Sequence, residues 1–255
     1  LFTATFFWAS AYIFVKQLLD NVSPYVMLVV RFGLASLILI AIYNKKLLQI
    51  NREILKAGII MGVFLFGEFF TFTVGLQYTT TSRSSLIIAS YIIILPFAYL
   101  LIMKKRPSIS DIIVSIICMI GVFFIVGNDL GSFHLGDVYC ILCALSYALY
   151  IVISSKYSKR YDSGILNVLQ VSTTAILSIV ILLFVKDHRF YVTFRDGFQL
   201  IYLIILCTTL PFFLILYGMK HISATTSGIL LSFESVMAAF MGIMVPVSYT
   251  HLRAH

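Results

Sequence analysis

The stretch Ile112-Ile-Val-Ser-Ile-Ile-Cys-Met-Ile-Gly-Val-Phe-Phe-Ile-Val126 contains no charged side chain. It belongs to one of nine apolar segments that together fill almost all of the 255 residues. A helix needs about 20 apolar residues to cross a hydrocarbon core of roughly 30 Å. The segments therefore predict nine membrane spans, at residues 2–20, 24–43, 55–76, 79–102, 109–127, 136–155, 164–185, 198–218 and 223–245.

The composition excludes a soluble protein. Charged residues make up 11% of the chain and hydrophobic residues 61%, whereas soluble domains carry about 25% charged residues. In lipid only helices and closed barrels satisfy every backbone polar group internally, and a barrel strand alternates apolar and polar residues over about 10 positions. Because the apolar runs here are continuous, we predict an all-α fold, a polytopic bundle of membrane helices.

The net charge of +8 follows from the loops between the spans and does not indicate nucleic-acid binding. Basic residues concentrate in cytoplasmic loops of membrane proteins. The even-numbered loops and the adjoining span ends hold eleven Lys and Arg, and the opposite side holds five. This asymmetry predicts a cytoplasmic N-terminus in a protein of the plasma or inner cell membrane.

A weak internal repeat divides the chain. Gly75-Leu-Gln-Tyr-Thr-Thr-Thr-Ser-Arg-Ser-Ser-Leu86 can be laid over Gly218-Met-Lys-His-Ile-Ser-Ala-Thr-Thr-Ser-Gly-Ile229, at an offset of 143 residues. Such repeats occur in secondary transporters. The unit has five helices, an odd number, so a second copy enters the membrane from the opposite side. We predict two inverted repeats, residues 1–127 and residues 136–245.

Two such repeats require ten helices, and nine are visible. The chain starts at Leu1, already within an apolar span, and apolar sequence stops at Val245. We therefore expect a fragment in which the tenth helix is missing. Residues 246–255 resemble a translated sequencing adapter and are expected to be a non-native tail.

The order and spacing of several short motifs make the chain resemble the EamA-type transporters of the drug/metabolite transporter superfamily. The resemblance implies a multi-pass permease that exports small metabolites or drug-like compounds. Two positions depart from the family pattern: Lys104-Lys105-Arg106 follows the fourth helix, where an acidic residue is common, and Ser235 stands where proline is frequent. The motifs are Trp8-Ala-Ser-Ala-Tyr-Ile-Phe-Val-Lys16, Ser23-Pro24, Arg31-Phe32, Gly75–Ser85 with Pro96, Arg106-Pro-Ser108, Leu145-Ser-Tyr-Ala-Leu-Tyr150 and Ser232-Phe-Glu-Ser235.

Three charged residues lie deep inside predicted spans, away from the span ends, where charge is costly and often functional. Glu68 and Glu234 are candidate groups for binding a cationic substrate or accepting a coupling proton. Glu234 also matches a position at which the family often has an acidic residue. Arg31 lies at the same depth as Glu68, so an ion pair between them is geometrically possible. The alternative for Arg31 is a structural ion pair or carbonyl contact that fixes helix packing.

Aromatic side chains away from the membrane interfaces are the second group of candidates. A buried Tyr or Trp needs a partner for its polar atom, so core packing with a local hydrogen bond is one interpretation. The other is an aromatic-lined binding cavity, in which cation–π contacts favour cationic or amphipathic cargo. These candidates are Trp8, Tyr12, Tyr91, Tyr147 and Tyr150.

Motifs for other chemistry are absent from the sequence. It contains no phosphate-binding glycine loop followed by Lys-Ser/Thr and no zinc-protease or serine-hydrolase signature, so neither an enzyme nor a cofactor is expected. The four cysteines lie within spans and predict no disulfide or metal site. The expected partners are the bilayer, a small-molecule substrate and protons. The sequence does not decide whether the protein forms a homodimer. A membrane-embedded enzyme and a non-transporting membrane scaffold are the alternatives.

Overall fold

The computed structural model describes residues 1–126 and 133–244. Within these ranges the chain forms nine helices, and six of them are long and apolar enough to cross a membrane. The expected non-native tail, residues 246–255, lies outside the described residues. The helices are α1 (Phe2–Leu18), α2 (Pro24–Leu47), α3 (Arg52–Gly75), α4 (Thr81–Met103), α5 (Ile109–Val126), α6 (Leu135–Ser158), α7 (Ser163–Phe184), α8 (Phe194–Met219) and α9 (Ala224–Met244).

Polar caps set where several helices begin, which is why their bounds differ by a few residues from the apolar segments. Asn51 accepts the backbone N–H of Ile54 at 2.9 Å, so α3 starts before its apolar run. Thr193 and Asp196 cap α8 reciprocally, each side chain bonding the other residue's backbone N–H. Side-chain oxygens at these positions replace the helical acceptors that the first N–H groups lack.

Two helices depart from regular α geometry. Helix α4 is interrupted at Ser90, so the break lies before Pro96 rather than at the proline. Helix α8 contains a π-helical turn over Ile205–Thr209, which ends two residues before Pro211. In that turn the hydroxyl of Thr208 bonds the carbonyl of Leu203, five residues earlier, at 2.8 Å. Single π turns within α-helices are frequent at functional sites.

The two halves of the chain interlock rather than lying side by side. Helix α3 packs against α6 and α7, α2 against α7, α1 against α9, and α4 against both α6 and α9. Exchanging α1 with α6, α2 with α7, α3 with α8 and α4 with α9 maps the α2–α7 and α4–α9 contacts onto themselves. The same exchange turns each of the other contacts into another contact that also exists. The packing thus has the pairwise symmetry expected of two repeats.

Close approach between the halves depends on glycines in α3. A Cβ atom at Gly62 would lie 2.4 Å from Cβ of Thr173 and 2.8 Å from the carbonyl oxygen of Gln170, both on α7. Gly58, one turn earlier, faces Leu169 in the same way. Small residues spaced by four let two backbones meet without lipid between them. This pair was visible in the sequence as a Gly-x-x-x-Gly pattern.

The bundle has two ends, defined here by the helix connections. The Arg83 end holds residues 19–23, 76–80 and 185–193, and the Lys46 end holds residues 48–51, 104–108, 159–162 and 220–223. At the Arg83 end the backbone N–H of Ser23 bonds the carbonyl of Arg189 at 2.9 Å. At the Lys46 end Lys46 and Asp162 form a 3.0 Å ion pair. Each end therefore joins the first half to the second.

Candidate functional site

A narrow cavity lies between the two halves, bounded by α1, α2, α3 and α4 of the first half and by α6 and α9 of the second. Its volume is about 30 Å³, and a cavity needs roughly 10–15 Å³ to hold one water molecule. Both intramembrane carboxylates and the intramembrane arginine reach it. Its walls are formed by Trp8, Ala11, Tyr12, Arg31, Glu68, Phe69, Phe72, Ile88, Cys143, Tyr147 and Glu234.

The acidic side of the cavity combines one residue from each half. Glu68 comes from α3 and Glu234 from α9. Glu68 is buried, and among the described residues its Oε2 atom has no hydrogen-bond partner. The hydroxyl of Tyr147, on α6, is likewise buried and unpartnered in that part of the chain. A buried polar atom without a partner costs free energy, so these two atoms are available to a molecule that enters the cavity.

Arg31 also lines the cavity and is fully buried. Its Nε atom donates to Oγ1 of Thr208 at 2.7 Å, and its Nη2 atom donates to the carbonyl oxygen of Cys207 at 3.1 Å. The guanidinium carbon lies 4.7 Å from the ring centre of Phe69, a cation–π distance. No ion pair between Arg31 and Glu68 is present in the described residues. Of the two interpretations, the structure thus contains the carbonyl contact.

The backbone carbonyl that accepts the hydrogen bond from Arg31 lies four residues before a proline. In a regular helix the Cys207 carbonyl would bond the N–H of residue 211, but Pro211 has none. The Cys207 oxygen instead accepts Arg31 and also the indole N–H of Trp8, at 2.9 Å. Helices α1, α2 and α8 are therefore joined at one carbonyl group. Sequence reasoning missed this junction, although Pro211 at position four after Cys207 was its signal.

The five aromatic candidates divide into three that line the cavity and two that support it. Trp8, Tyr12 and Tyr147 are wall residues. Tyr91 packs edge-on against Tyr147, with ring centres 4.5 Å apart, and its hydroxyl donates to the carbonyl of Gly228 at 2.8 Å. The hydroxyl of Tyr150 donates to Oε1 of Gln170 at 3.0 Å. Tyr91 and Tyr150 thus have the local hydrogen bonds expected of core residues.

The structure therefore brings six of the eight candidates to one cavity. It also adds wall residues that the sequence did not single out, chiefly Phe69, Phe72 and Cys143. Helical spacing was the available signal: Phe72 lies four residues after Glu68, and Cys143 lies four before Tyr147. Residues at this spacing share a helix face. No group of three or more metal-binding side chains occurs within the described ranges.

Comparisons with known proteins agree with this architecture. The sequence matches the EamA-like transporter family over residues 1–127 and again over residues 134–246. It is 25% identical to an uncharacterized transporter of Archaeoglobus fulgidus, over 95% of this chain and 77% of that protein. It is 22% identical to the uncharacterized transporter YoaV of Bacillus subtilis, over 95% of this chain and 86% of YoaV.

A solved crystal structure has the same fold, with a TM-score of 0.76 at 17% identity, covering 95% of this chain and 85% of the other. At that identity the likeness concerns the fold alone. The two family matches cover nearly the whole chain. They confirm the predicted family and the predicted absence of an enzymatic function. The chain belongs to the EamA-like transporter family and is a multi-pass membrane transporter.

Proposed function

We propose that this transporter exports small metabolites or drug-like compounds by alternating access, with its cargo site in the cavity between the two halves. The rocking units are residues 1–127 and residues 136–245. Transporters built from inverted repeats bind cargo near the midplane, at the interface of the repeats. The supporting observation is that six candidate residues from both halves meet in one cavity.

The charges around the cavity favour a cationic cargo or a proton. With all three groups ionised, Arg31, Glu68 and Glu234 carry a net charge of −1. No ion pair joins any of them in the described part of the chain. A charge in a low-dielectric interior needs compensation, and one proton or one monovalent cation supplies it. The aromatic walls add cation–π and stacking surface for the apolar part of such a cargo.

The size of the cavity supports a mechanism with a large rearrangement. A volume of about 30 Å³ is far below the roughly 300–1,000 Å³ of pockets that hold drug-sized ligands. Cargo therefore enters only after the halves move apart at one end. The interlocked contacts of α3 with α6 and α7 are the ones that such a movement must change.

The proposed orientation assigns the two ends of the bundle to the two sides of the membrane. The Lys46 end carries most of the loop lysines and arginines, which favours a cytoplasmic location for that end and for the N-terminus. The host membrane is the plasma or inner cell membrane. In an exporter, cargo enters the cavity from the Lys46 end and leaves at the Arg83 end, and a proton moving inward supplies the driving force.

Uptake into proteoliposomes tests the proposal. The protein is reconstituted, and flux of a panel of amino acids and cationic aromatic drugs is measured with and without a pH gradient. We expect at least one compound to move only when the gradient is present. Flux of none of them, in protein shown to be folded, would favour a membrane scaffold over a carrier.

A further inference from the structure

A buried ion pair joins the two halves near the Arg83 end. Nε of Arg83, on α4, donates to Oδ1 of Asp137, on α6, at 2.7 Å. Nη2 of Arg83 donates to Oδ2 of Asp137 at 2.7 Å. Arg83 is 8% exposed and Asp137 is 1% exposed. Paired, parallel hydrogen bonds of this kind are the strongest arginine–carboxylate geometry.

The pair lies directly between the cavity and the Arg83 end. Arg83 is five residues from the cavity residue Ile88 along α4, and Asp137 is six residues from the cavity residue Cys143 along α6. At a rise of about 1.5 Å per residue, the pair is about 8–9 Å from the cavity wall. Any cargo leaving toward this end along α4 and α6 must pass it.

Tight packing surrounds the ion pair on both sides. The rings of Tyr78 and Tyr139 stack with centres 6.1 Å apart. A Cβ atom at Gly136 would lie 3.0 Å from the carbonyl oxygen of Tyr78. Toward the cavity, Sγ of Cys140 lies 3.4 Å from Oγ of Ser84. The start of α6 thus packs against both the α3–α4 connection and the first turn of α4.

The repeat offers a comparison with the opposite end of the bundle. At the offset of 143 residues Thr226 takes the place of Arg83. Its backbone N–H and its hydroxyl both bond the side chain of Ser223, at 3.0 and 2.8 Å, at the start of α9. Arg83 forms an ion pair between the halves at the Arg83 end. Its counterpart at the Lys46 end, Thr226, makes a local, neutral side-chain contact instead.

We propose that Arg83 and Asp137 form the gate of the Arg83 end, an ion pair that closes the cavity on that side and must separate for cargo to leave. This inference rests on the proposed alternating-access function. Removing one partner leaves the other charge buried without its counter-charge, which is more costly than losing the contact itself. A single neutral substitution should therefore favour the open gate, in which the remaining charge reaches water.

Cys143 is a native reporter for the state of this gate, since it is a buried cavity residue. Cys118, Cys140 and Cys207 are replaced by Ala to leave Cys143 alone. A membrane-impermeant methanethiosulfonate reagent is then applied separately to spheroplasts and to inverted vesicles. A His188→Cys variant, exposed in the α7–α8 connection, identifies which preparation presents the Arg83 end.

We expect Arg83→Gln and Asp137→Asn each to raise the labelling rate of Cys143 about tenfold or more, from the Arg83 end only. The double variant R83Q/D137N, which leaves no unpaired charge, should label more slowly than either single variant. Lys46→Gln, which breaks an exposed ion pair at the other end, should label from the Arg83 end at the parent rate.

Unchanged labelling in both single variants, in protein that is monodisperse and inserted in the membrane, would overturn the gate. Equal acceleration from both sides would overturn it as well, because it would indicate general loosening. If Asp137→Asn does not fold, Arg83→Gln still tests the gate, because this variant retains the Asp137 carboxylate that caps α6. Labelling requires no cargo, so a failed flux assay and a failed gate are separate results.

Discussion

The guanidinium of Arg31 and the backbone carbonyl of Cys207 are joined by a hydrogen bond of 3.1 Å within the membrane-spanning part of the bundle. Pro211 has no N–H to donate to this carbonyl, and the indole of Trp8 shares it with Arg31. One oxygen atom thus fixes α1 and α2, of the first half, to α8 of the second. The basic wall of the cavity depends on this junction rather than on an ion pair.

Two donors on one acceptor should behave as a coupled unit. Arg31→Lys keeps the charge but cannot reach Thr208 and Cys207 together, and Trp8→Phe keeps a ring but loses the donor. Each is expected to lower the free energy of unfolding by about 1–3 kcal/mol. The double variant should depart from the sum by about 0.5 kcal/mol or more, because the two residues share a partner. Denaturant titrations of all four proteins measure this, and strict additivity would contradict it.

Gly62→Ala should disturb the contact between α3 and α7. Its new Cβ would lie 2.4 Å from a Thr173 carbon and 2.8 Å from a backbone oxygen, so the helices must separate. We expect a loss of about 1–3 kcal/mol. Gly33→Ala is the matched control, since nothing lies within 4 Å of its Cβ, and it should be neutral or stabilise by up to about 1 kcal/mol. Equal thermal stability of the two variants would refute the close approach.

Asp162 should stabilise the Lys46 end in a pH-dependent way. Burial favours its neutral form, but hydrogen bonds from Lys46 and from the backbone of Ile165 and Gly164 hold the pKa of Asp162 below its ordinary value. Its contribution is therefore complete above about pH 4, the pKa of Asp in an unfolded chain, and is lost as pH falls through the lower folded pKa.

Asp162→Ala should accordingly cost about 0.5–2 kcal/mol near neutral pH through the lost helix cap. Lys46→Ala should cost at most about 1 kcal/mol, because both side chains of the ion pair are partly exposed. Melting curves between pH 7 and about pH 3 compare each variant with the parent. A deficit of Asp162→Ala that grows on acidification would be inconsistent with a lowered pKa.

Tyr147 and Tyr150 should respond oppositely to loss of their hydroxyls. The Tyr150 hydroxyl donates to Gln170, so Tyr150→Phe should lower the free energy of unfolding by about 0.5–1.5 kcal/mol. The Tyr147 hydroxyl is buried without a partner in the described residues, so Tyr147→Phe should leave stability unchanged or raise it. Cargo flux should fall in Tyr147→Phe and persist in Tyr150→Phe. A loss of stability in Tyr147→Phe but not in Tyr150→Phe would contradict the assignment of Tyr147 to the cargo site.

The helices of the described residues could be predicted from the sequence because long apolar segments form helices in lipid. Six of them are long and apolar enough to cross a membrane. The cavity residues could be predicted in part, because a charged Glu or Arg inside a membrane span is costly and usually marks a functional site. Depth along a helix follows from residue number, and Arg31 and Glu68, which are predicted to lie at similar depths, both line the cavity. Rotation about the helix axis does not follow from residue number, so the partners of Arg31 on α8 could not be foreseen.

The ion pair of Arg83 and Asp137 could not be predicted from the sequence, for a related reason. Both residues lie near helix ends, where charge is ordinary, and Arg83 was counted only as a basic residue of one membrane side. Its significance depends on α4 of one half crossing α6 of the other. Tyr150 illustrates the converse: it shares a helix with Tyr147, but three residues turn it toward Gln170 and away from the cavity.

The most direct test of the cargo site is gradient-driven flux in Glu68→Gln and Glu234→Gln, measured in proteoliposomes beside the parent protein. Glu53→Gln, on the exposed start of α3, is the matched control. A lost charge-assisted contact of about 1.5–3 kcal/mol corresponds to about tenfold or more in affinity. The cavity model predicts that both variants lose pH-dependent flux while Glu53→Gln retains it. Parental, pH-dependent flux in both cavity variants would contradict it.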